Sequence, residues 1–231
     1  MTGLPGGHGP AIPEILPIFP LPNVVFFPST LLPLHIFEPR YRAMTQAALA
    51  SNAMIVMALL DSEADVDSAG NPPVFPVACA GHIIDSRRLP DGRFDLVLSG
   101  VARVGIVEEV PSAPFRRARV RPLPENRGWL LDDAADDDLD RILLQFKEIA
   151  GGLPILVSEL KEKRDPAARE ILLNTLSRHL DVPPGIRQKL LEEGDLGNRM
   201  RRLGKILSRS VKEMEIMTRF RDLAPDDPTV N

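Results

Sequence analysis

Residues Ile18–Tyr41 read IFPLPNVVFFPSTLLPLHIFEPRY, and this stretch decides the fold. It contains two apolar runs, Val24–Phe27 and Leu31–Phe37, which are rich in β-branched and aromatic residues. Prolines interrupt and flank both runs, and because proline lacks the backbone donor that a helix needs, no helix can continue through them. Both runs are therefore predicted to be kinked or bulged strands that lie at the edge of a sheet.

The stretch ends in Glu38-Pro39-Arg40-Tyr41, where a helix is predicted to begin. Proline suits the first helical turn, and a negative charge such as that of Glu38 is favourable at a helix start. The cluster has two interpretations. It either caps the helix with a buried ion pair that closes a barrel, or it forms the rim of a substrate groove.

The first half of the chain continues in short apolar runs joined by turns. After a predicted helix at Arg42–Ser51, the predicted strands are Met54–Leu60, Val74–Ile84, Phe94–Ile106 and Phe115–Val120. Pro76 and Gly81 interrupt the second of these strands, which is therefore predicted to contain a bend or bulge. Pro90-Asp91-Gly92 is a turn signal between two of them. About six strands joined by short turns indicate a closed or nearly closed β-structure.

From Asp132 onward the apolar residues follow helical spacing instead. Gly151-Gly152, Asp165-Pro166 and Pro183-Pro184 divide this half into helices, because glycine ends helices and proline suits their first turn. The last predicted helix runs from about Leu196 to Leu223. Five aspartates crowd the start of the first helix (Asp132, Asp133, Asp136, Asp137 and Asp138), and we interpret them as solvated charges that complement the helix dipole rather than as a metal site.

The composition of the chain indicates the type of protein and the compartment in which it works. The net charge is −4, and hydrophobic residues make up 44% of the chain, which is ordinary for a soluble globular protein. The single cysteine, Cys79, excludes an intrachain disulfide and fits a reducing, cytoplasmic setting. No apolar run approaches the roughly 20 residues of a membrane helix. Residues 1–13 and 225–231 are expected to be flexible tails.

Three stretches resemble the N-terminal substrate-binding domain of the Lon protease family. They are Leu16–Tyr41, the hairpin LPDGRFDLVLSGVARV at Leu89–Val104, and QKLLEEGDLGNRMRRLGKILSRSVKEM at Gln188–Met214. The resemblance implies an α+β fold, in which an N-terminal PUA-like β pseudo-barrel precedes a C-terminal helical bundle that ends in a long helix. The corresponding domains are residues 14–124 and 125–224.

The resemblance implies a non-catalytic module that binds unfolded or exposed apolar protein segments, as an adaptor or holdase-like factor. In full-length Lon proteases the last helix leads to an ATPase ring and a protease domain, and we expect this chain to lack both. The sequence has no Gly-rich phosphate loop, and its histidines have no partners at metal-ligand spacing. No catalytic residue, cofactor or metal is therefore expected.

Six residues are candidates for substrate binding. The proline-bent strands are predicted to leave an edge open to an extended peptide, with pockets lined by Val25, Phe27 and Leu32. Glu38, Arg40 and Tyr41 would form the rim. The alternative is that the apolar residues belong to the barrel core.

Two other functions compete with polypeptide binding. The chain could be a peptidase-family component that acts with a separate ATPase or protease. The PUA-like lobe could instead bind RNA through arginines of the hairpin and the next strand, namely Arg87, Arg88, Arg93, Arg103, Arg116, Arg117, Arg119 and Arg121. The aromatic residues are not interleaved with these arginines as stacking platforms, which argues against nucleic acid.

Overall fold

The computed structural model describes residues 11–62, 64–66, 72–153, 155–160, 162–163 and 165–222. The chain forms two compact units. The first combines residues up to Glu125 with Ser177–Gly194, and the second combines Asn126–Leu176 with the residues from Asp195 onward. The predicted lobes at 14–124 and 125–224 differ from these units in the segment Ser177–Gly194. Both predicted tails lie outside the described residues, apart from Ala11–Pro13.

The described part of the first unit contains one mixed sheet of six strands. The strands are β1 (Ile15–Leu21), β2 (Leu31–Ile36), β3 (Met54–Leu59), β4 (Val77–Arg88), β5 (Phe94–Val110) and β6 (Arg117–Pro122). β1 and β3 are parallel, and the other pairs are antiparallel. The bend or bulge predicted in Val74–Ile84 is confirmed, because the pairing of β4 with β5 shifts register between Ala80 and Gly81.

The sheet closes because β5 is long enough to pair with different strands along its length. Its first half pairs with β2, and its second half pairs with β6, which also pairs with β1. β1, β3, β4, β5 and β6 therefore form a closed ring, and closure removes exposed strand edges. Within the described residues β2 pairs only with β5, and Pro33 lies in this edge strand, where a missing backbone donor is tolerated.

The prediction that Val24–Phe27 is a strand is wrong. The segment is buried but has no strand pairing, and the first strand is β1, which precedes it. Its backbone crosses β5 at Gly100, where an added Cβ would lie 2.2 Å from the Phe27 carbonyl oxygen. That carbonyl accepts a hydrogen bond from the Thr30 hydroxyl at 2.7 Å. A segment that crosses a sheet satisfies its backbone hydrogen-bonding groups through local bonds of this kind rather than by pairing with a neighbouring strand.

The barrel wall is apolar on both faces along β1 and β3. One cluster includes Leu16, Ile18, Met54 and Val56, and contains small residues such as Ala80. The residues of opposite parity, including Phe19, Ile55 and Met57, join a second cluster with helix α1 (Pro39–Leu49), whose Met44 is fully buried. Burial on both faces explains why Met54–Leu59 is continuously apolar rather than alternating.

The remaining helices lie between the glycine and proline signals that divided this half of the sequence. They are α2 (Ala135–Ala150), α3 (Ile155–Leu160), α4 (Pro166–His179), α5 (Pro184–Glu192) and α6 (Leu196–Asp222). Gly151 ends α2 with a φ of 67°, a conformation that glycine adopts without strain. Within the second unit, α2 packs against α6. The α+β fold class is confirmed.

We expect Asp165→Ala to lower the free energy of unfolding by about 1 kcal/mol. The Asp165 carboxylate accepts a hydrogen bond from the backbone N–H of Ala168 at 3.0 Å at the start of α4, and alanine cannot replace it. Urea denaturation measures the difference. The control is Asp181→Ala, which removes an exposed carboxylate that makes no side-chain hydrogen bond to another described residue. Equal losses in both variants would contradict the capping role.

Candidate functional site

A groove lies in the first unit, at the ends of β1 and β3. These parallel strands finish together, because Leu21 pairs with Leu59 and the Leu60 N–H donates to the Leu21 carbonyl at 3.0 Å. Two adjoining cavities of about 210 and 560 Å³ share Pro22 and Leu60 in their linings. We call them together the rim groove. The smaller cavity is its charged end, and the larger cavity is its apolar end.

The charged end is built from the start of α1. Arg40 pairs with Glu38 at 3.0 Å, and its guanidinium lies 4.5 Å from the centroid of the Tyr41 ring. The side chains of Arg40 and Glu38 are 54% and 40% exposed, so the predicted buried ion pair is wrong. Helix α1 does begin at Pro39, but Glu38 caps it without a side-chain hydrogen bond. Both charges therefore face solvent and are available to a ligand.

Tyr41 and Arg116 are the members of the charged end that ring packing and hydrogen bonds hold in place. The Tyr41 ring packs on Phe19 with ring centroids 4.3 Å apart. Burial raises the pKa of the Tyr41 hydroxyl above its usual value, so the group stays protonated at neutral pH. Arg116 is paired with Glu109 and donates to the Pro72 carbonyl at 3.0 Å. The charged end thus offers one fixed cation and one neutral hydroxyl beside a solvent-exposed ion pair.

The apolar end is lined by side chains from β3, the segment before β4, and α5. Its apolar members are Pro22, Leu59, Leu60, Phe75, Pro183, Pro184 and Ile186. Ile186 is 36% exposed, although it is a large hydrophobic residue. Lys189 and Glu192 follow on α5 and place one charge of each sign beside this surface. An apolar surface rimmed by charges is typical of a binding site.

Side chains of α5 hold it against the barrel. Arg187 donates to the carbonyls of Leu180 and Asn23 at 2.9 and 3.1 Å. Gln188 is buried and donates to the Val77 carbonyl at 2.9 Å. These bonds join α5 to the backbone of Asn23, which follows β1, and of Val77, which begins β4. The wall of the groove that carries Ile186 is therefore fixed in position.

Arg103 provides the strongest attachment of this segment. Its side chain is 3% exposed and donates to the carbonyls of Leu191 and Glu192 at 2.6 and 2.8 Å. The carboxylate of Glu125 lies 3.7 Å from the same guanidinium. These two carbonyls belong to the C-terminal end of α5, where helical carbonyls lack intrahelical donors. Arg103 therefore connects β5 to α5 rather than belonging to an exposed basic patch.

The structure divides the six predicted substrate-binding residues into two sets. Glu38, Arg40 and Tyr41 line the rim groove. Val25, Phe27 and Leu32 are 4%, 0% and 6% exposed and do not line it, which is the core placement that the sequence left as an alternative. Any substrate role of these six residues stays a prediction. Sequence reasoning missed Phe75 and Ile186, although Pro183-Pro184 marked the start of α5.

Ion pairing and burial reduce the positive charge that the eight arginines proposed for RNA binding present to solvent. Four of the eight are paired with acidic groups: Arg87 with Asp95, Arg93 with Asp91, Arg116 with Glu109, and Arg119 with both Glu14 and Glu108. Arg103 is buried. Pairing of this kind lowers the local positive potential that phosphate binding needs.

Two kinds of site are missing from the part of the chain that the structure describes. No group of three or more His, Cys, Asp or Glu side chains is arranged to hold a metal ion. No helix in that part has the length and apolar character to cross a membrane. Cys79 is buried in the core cluster of the barrel wall.

The described residues thus form a closed β-barrel with a groove at one rim and a helical unit. A sequence profile of the ATP-dependent protease La (LON) substrate-binding domain matches residues 15–209. This match covers most of the chain, so the chain belongs to that family. The resemblance inferred from Leu16–Tyr41, Leu89–Val104 and Gln188–Met214 is confirmed.

Relatives and solved structures agree with this assignment. Lon protease 2 of Myxococcus xanthus is 26% identical over 211 residues, which are 90% of this chain and 25% of that protein. Lon protease of Roseiflexus castenholzii is 30% identical over 220 residues, which are 94% of this chain and 26% of that protein. The chain thus spans about a quarter of the length of these curated relatives.

Two solved structures share the fold. The N-terminal domain of a Mycobacterium avium complex Lon protease has a TM-score of 0.57 and 17% identity, covering 84% of this chain and 98% of that one. A Lon N-terminal domain protein from Xanthomonas campestris has a TM-score of 0.54 and 21% identity, covering 84% of this chain and 97% of that one. At these identities the likeness concerns the fold.

Proposed function

We propose that the chain is a non-catalytic recognition module that binds exposed apolar segments of unfolded or partly folded polypeptides in the rim groove. The observation that carries the proposal is the apolar end of the groove, where Phe75 and Ile186 lie with prolines in a cavity of about 560 Å³. A folded client keeps its apolar side chains inside, so this surface selects for unfolded ones. Membership in the substrate-binding domain family supports the same function.

The two ends of the groove would act on different parts of a client. Apolar side chains of the client fill the end beside Ile186, where burial of apolar surface stabilises the complex by about 25 cal/mol per Å² before the costs of association. The Arg40 guanidinium, the Tyr41 hydroxyl and Arg116 at the other end can donate hydrogen bonds to client carbonyls. Neither set of contacts reads a particular sequence, so specificity is broad.

A second proposal concerns the assembly in which the module works. Its relatives are named Lon proteases and are about four times as long as the matched region, which favours a role beside an ATPase or protease. An adaptor or holdase-like factor in the cytoplasm is the corresponding physiological role. The pairing of the hairpin arginines with acids argues against the RNA alternative.

We expect Ile186→Glu to weaken binding of an unfolded model protein by about tenfold or more, which corresponds to about 1.4 kcal/mol. The substitution places a charge on the apolar wall of the groove, where it must be desolvated when a client binds. Ile186 is already 36% exposed, so the melting temperature should change little. Fluorescence anisotropy of a labelled, reduced and unfolded protein measures the affinity, and circular dichroism measures the melting temperature.

The matched control is Ile84→Glu. Ile84 belongs to the same unit, is 54% exposed and does not line the rim groove. It receives the same chemical change without contact with the groove. If both variants bind the unfolded protein as tightly as the parent chain does, the rim groove is not the client site.

A further inference from the structure

A second groove lies within the helical unit, where α2 faces α6. It encloses about 560 Å³, and its lining includes five cationic side chains: Arg141, Arg201, Lys205, Arg209 and Lys212. Among the described residues, no acidic side chain belongs to this lining. The whole chain carries a net charge of −4, so this local excess of positive charge is opposite in sign to the molecule that bears it. We call this surface the cationic groove.

The positions of the cations on α6 follow from helix geometry. Arg201, Lys205, Arg209 and Lys212 are separated by four, four and three residues, a spacing that places them on one face. At about 1.5 Å per residue, this row is about 16 Å long. Arg141 lies across from it on α2. The row thus forms a continuous track rather than a scatter of surface charges.

No side chain of a described residue covers the floor of the cationic groove at Gly204, and a hydrogen bond joins the two helices that form the groove. Gly204 has no side chain, and an added Cβ there would meet only Ile142 within 4 Å, at 3.8 Å. Gln145 of α2 donates to the Ser208 hydroxyl of α6 at 2.9 Å, which ties the two helices together at the groove. A ligand can therefore approach the helix backbone at Gly204 between the cationic side chains.

Few of these charges are neutralised within the described part of the chain. Lys205 and Lys212 have no ion-pair or hydrogen-bond partner there. Arg141 pairs with Asp138 and Arg209 pairs with Glu213, but both arginine side chains remain more than half exposed. Exposed pairs of this kind contribute about 0–1 kcal/mol, so an incoming anion exchanges them at little cost.

We propose that the cationic groove docks an acidic segment of a partner polypeptide. Charge complementarity supplies the first reason, because carboxylates match both the guanidinium and the ammonium groups of the track. The face continues one turn beyond Lys212 to Ile216, which is 51% exposed, and Met217 beside it is 67% exposed. A polypeptide that carries acidic and apolar side chains satisfies both parts of this surface.

The lining also distinguishes this ligand from a nucleic acid. The lining residues that the structure describes include no aromatic side chain on which a base could stack, and stacking contributes about 1–3 kcal/mol per base in single-strand binding. A sugar-phosphate backbone has no apolar group to place on Ile216. The two classes of ligand therefore make different demands, and a direct comparison separates them.

The test uses the full chain and a fluorescein-labelled peptide of alternating glutamate and leucine as the probe. We expect the double variant Lys205→Glu, Lys212→Glu to bind it about tenfold or more weakly than the parent chain, and we expect binding by the parent to weaken as salt is added. The matched control is Lys147→Glu, Lys163→Glu, which reverses two exposed lysines of the same unit outside the groove. This control undergoes the same change in net charge as the groove variant. It should bind the probe nearly as tightly as the parent chain does.

Three outcomes would overturn the proposal. The parent chain could fail to bind the probe, or the control could lose as much affinity as the groove variant. A single-stranded DNA oligonucleotide of equal charge could also bind more tightly than the peptide and be lost in the same groove variant. Because this groove and the rim groove share no residue, the result is independent of the client-binding proposal.

Discussion

Phe27→Asp should unfold the protein. Phe27 is fully buried, and truncation of a buried phenylalanine alone costs about 3–5 kcal/mol. A carboxylate at the same place adds the penalty of an unpaired buried charge, which is several kcal/mol more. The sum approaches the whole stability of an ordinary domain, about 5–15 kcal/mol. Circular dichroism should show no cooperative thermal transition in the variant.

The matched control for this prediction is Phe37→Asp. Phe37 directly follows β2 and is 59% exposed, so its substitution should leave the melting temperature within a few degrees of the parent value. A folded Phe27→Asp variant with an unchanged melting temperature and reduced client binding would contradict the core placement. It would return Phe27 to the groove that the sequence suggested.

Arg103→Met should lower the free energy of unfolding by about 3–5 kcal/mol. Methionine fills part of the space but removes the donors to the Leu191 and Glu192 carbonyls, and it takes the cation away from Glu125. Buried acceptors that lose a charged donor are costly, because water does not reach them. Urea denaturation followed by circular dichroism measures the loss.

The control is Arg121→Met, which removes an exposed arginine of β6 and should cost less than about 0.5 kcal/mol. Hydrogen exchange adds a local readout, since weakened attachment should speed exchange in α5 before the barrel strands. Equal stability of the two variants would show that Arg103 does not hold the segment Ser177–Gly194 to the barrel.

The helical half was predictable because its signals are local. Gly151 ends α2, Pro166 follows the capping Asp165, and Pro184 opens α5, each at a position that the residue type alone specifies. The unit to which α5 belongs was not predictable. That depends on Arg103, Arg187 and Gln188, whose partners are backbone carbonyls distant in sequence, and a carbonyl leaves no mark on the residue type.

The number of strands in the barrel was predicted correctly, but the position of the first strand was not. Ile15–Leu21 contains two prolines and was passed over, whereas Val24–Phe27 has stronger strand composition and is a crossing segment. Strand β1 nevertheless accommodates Pro17 and Pro20. The apolar composition of Val24–Phe27 reflects burial of the segment rather than strand pairing. The absence of a side chain at Gly100 allows that crossing, and this relation between distant positions is invisible in local patterns.

Only part of the candidate site could be predicted, because local patterns reveal residues that are neighbours in the sequence and not residues that folding brings together. Glu38, Arg40 and Tyr41 stand together in the sequence and remain together at the charged end of the groove. Phe75 and Ile186 are more than a hundred residues apart in the sequence, and only the folded chain brings them to one wall. Burial of Val25 and Leu32 could not be separated from groove lining by apolar character alone.

The central claim, that unfolded clients bind in the rim groove, is tested most directly by site-specific photo-crosslinking. Lys189 is exposed and lines the apolar end, and the native Cys79 is buried, so Lys189→Cys can be labelled selectively with a benzophenone maleimide. We expect crosslinks from this position to a reduced, unfolded model protein and none to its folded form. Equal capture of the folded form, or equal capture from a label at exposed Lys163 in the other unit, would contradict it.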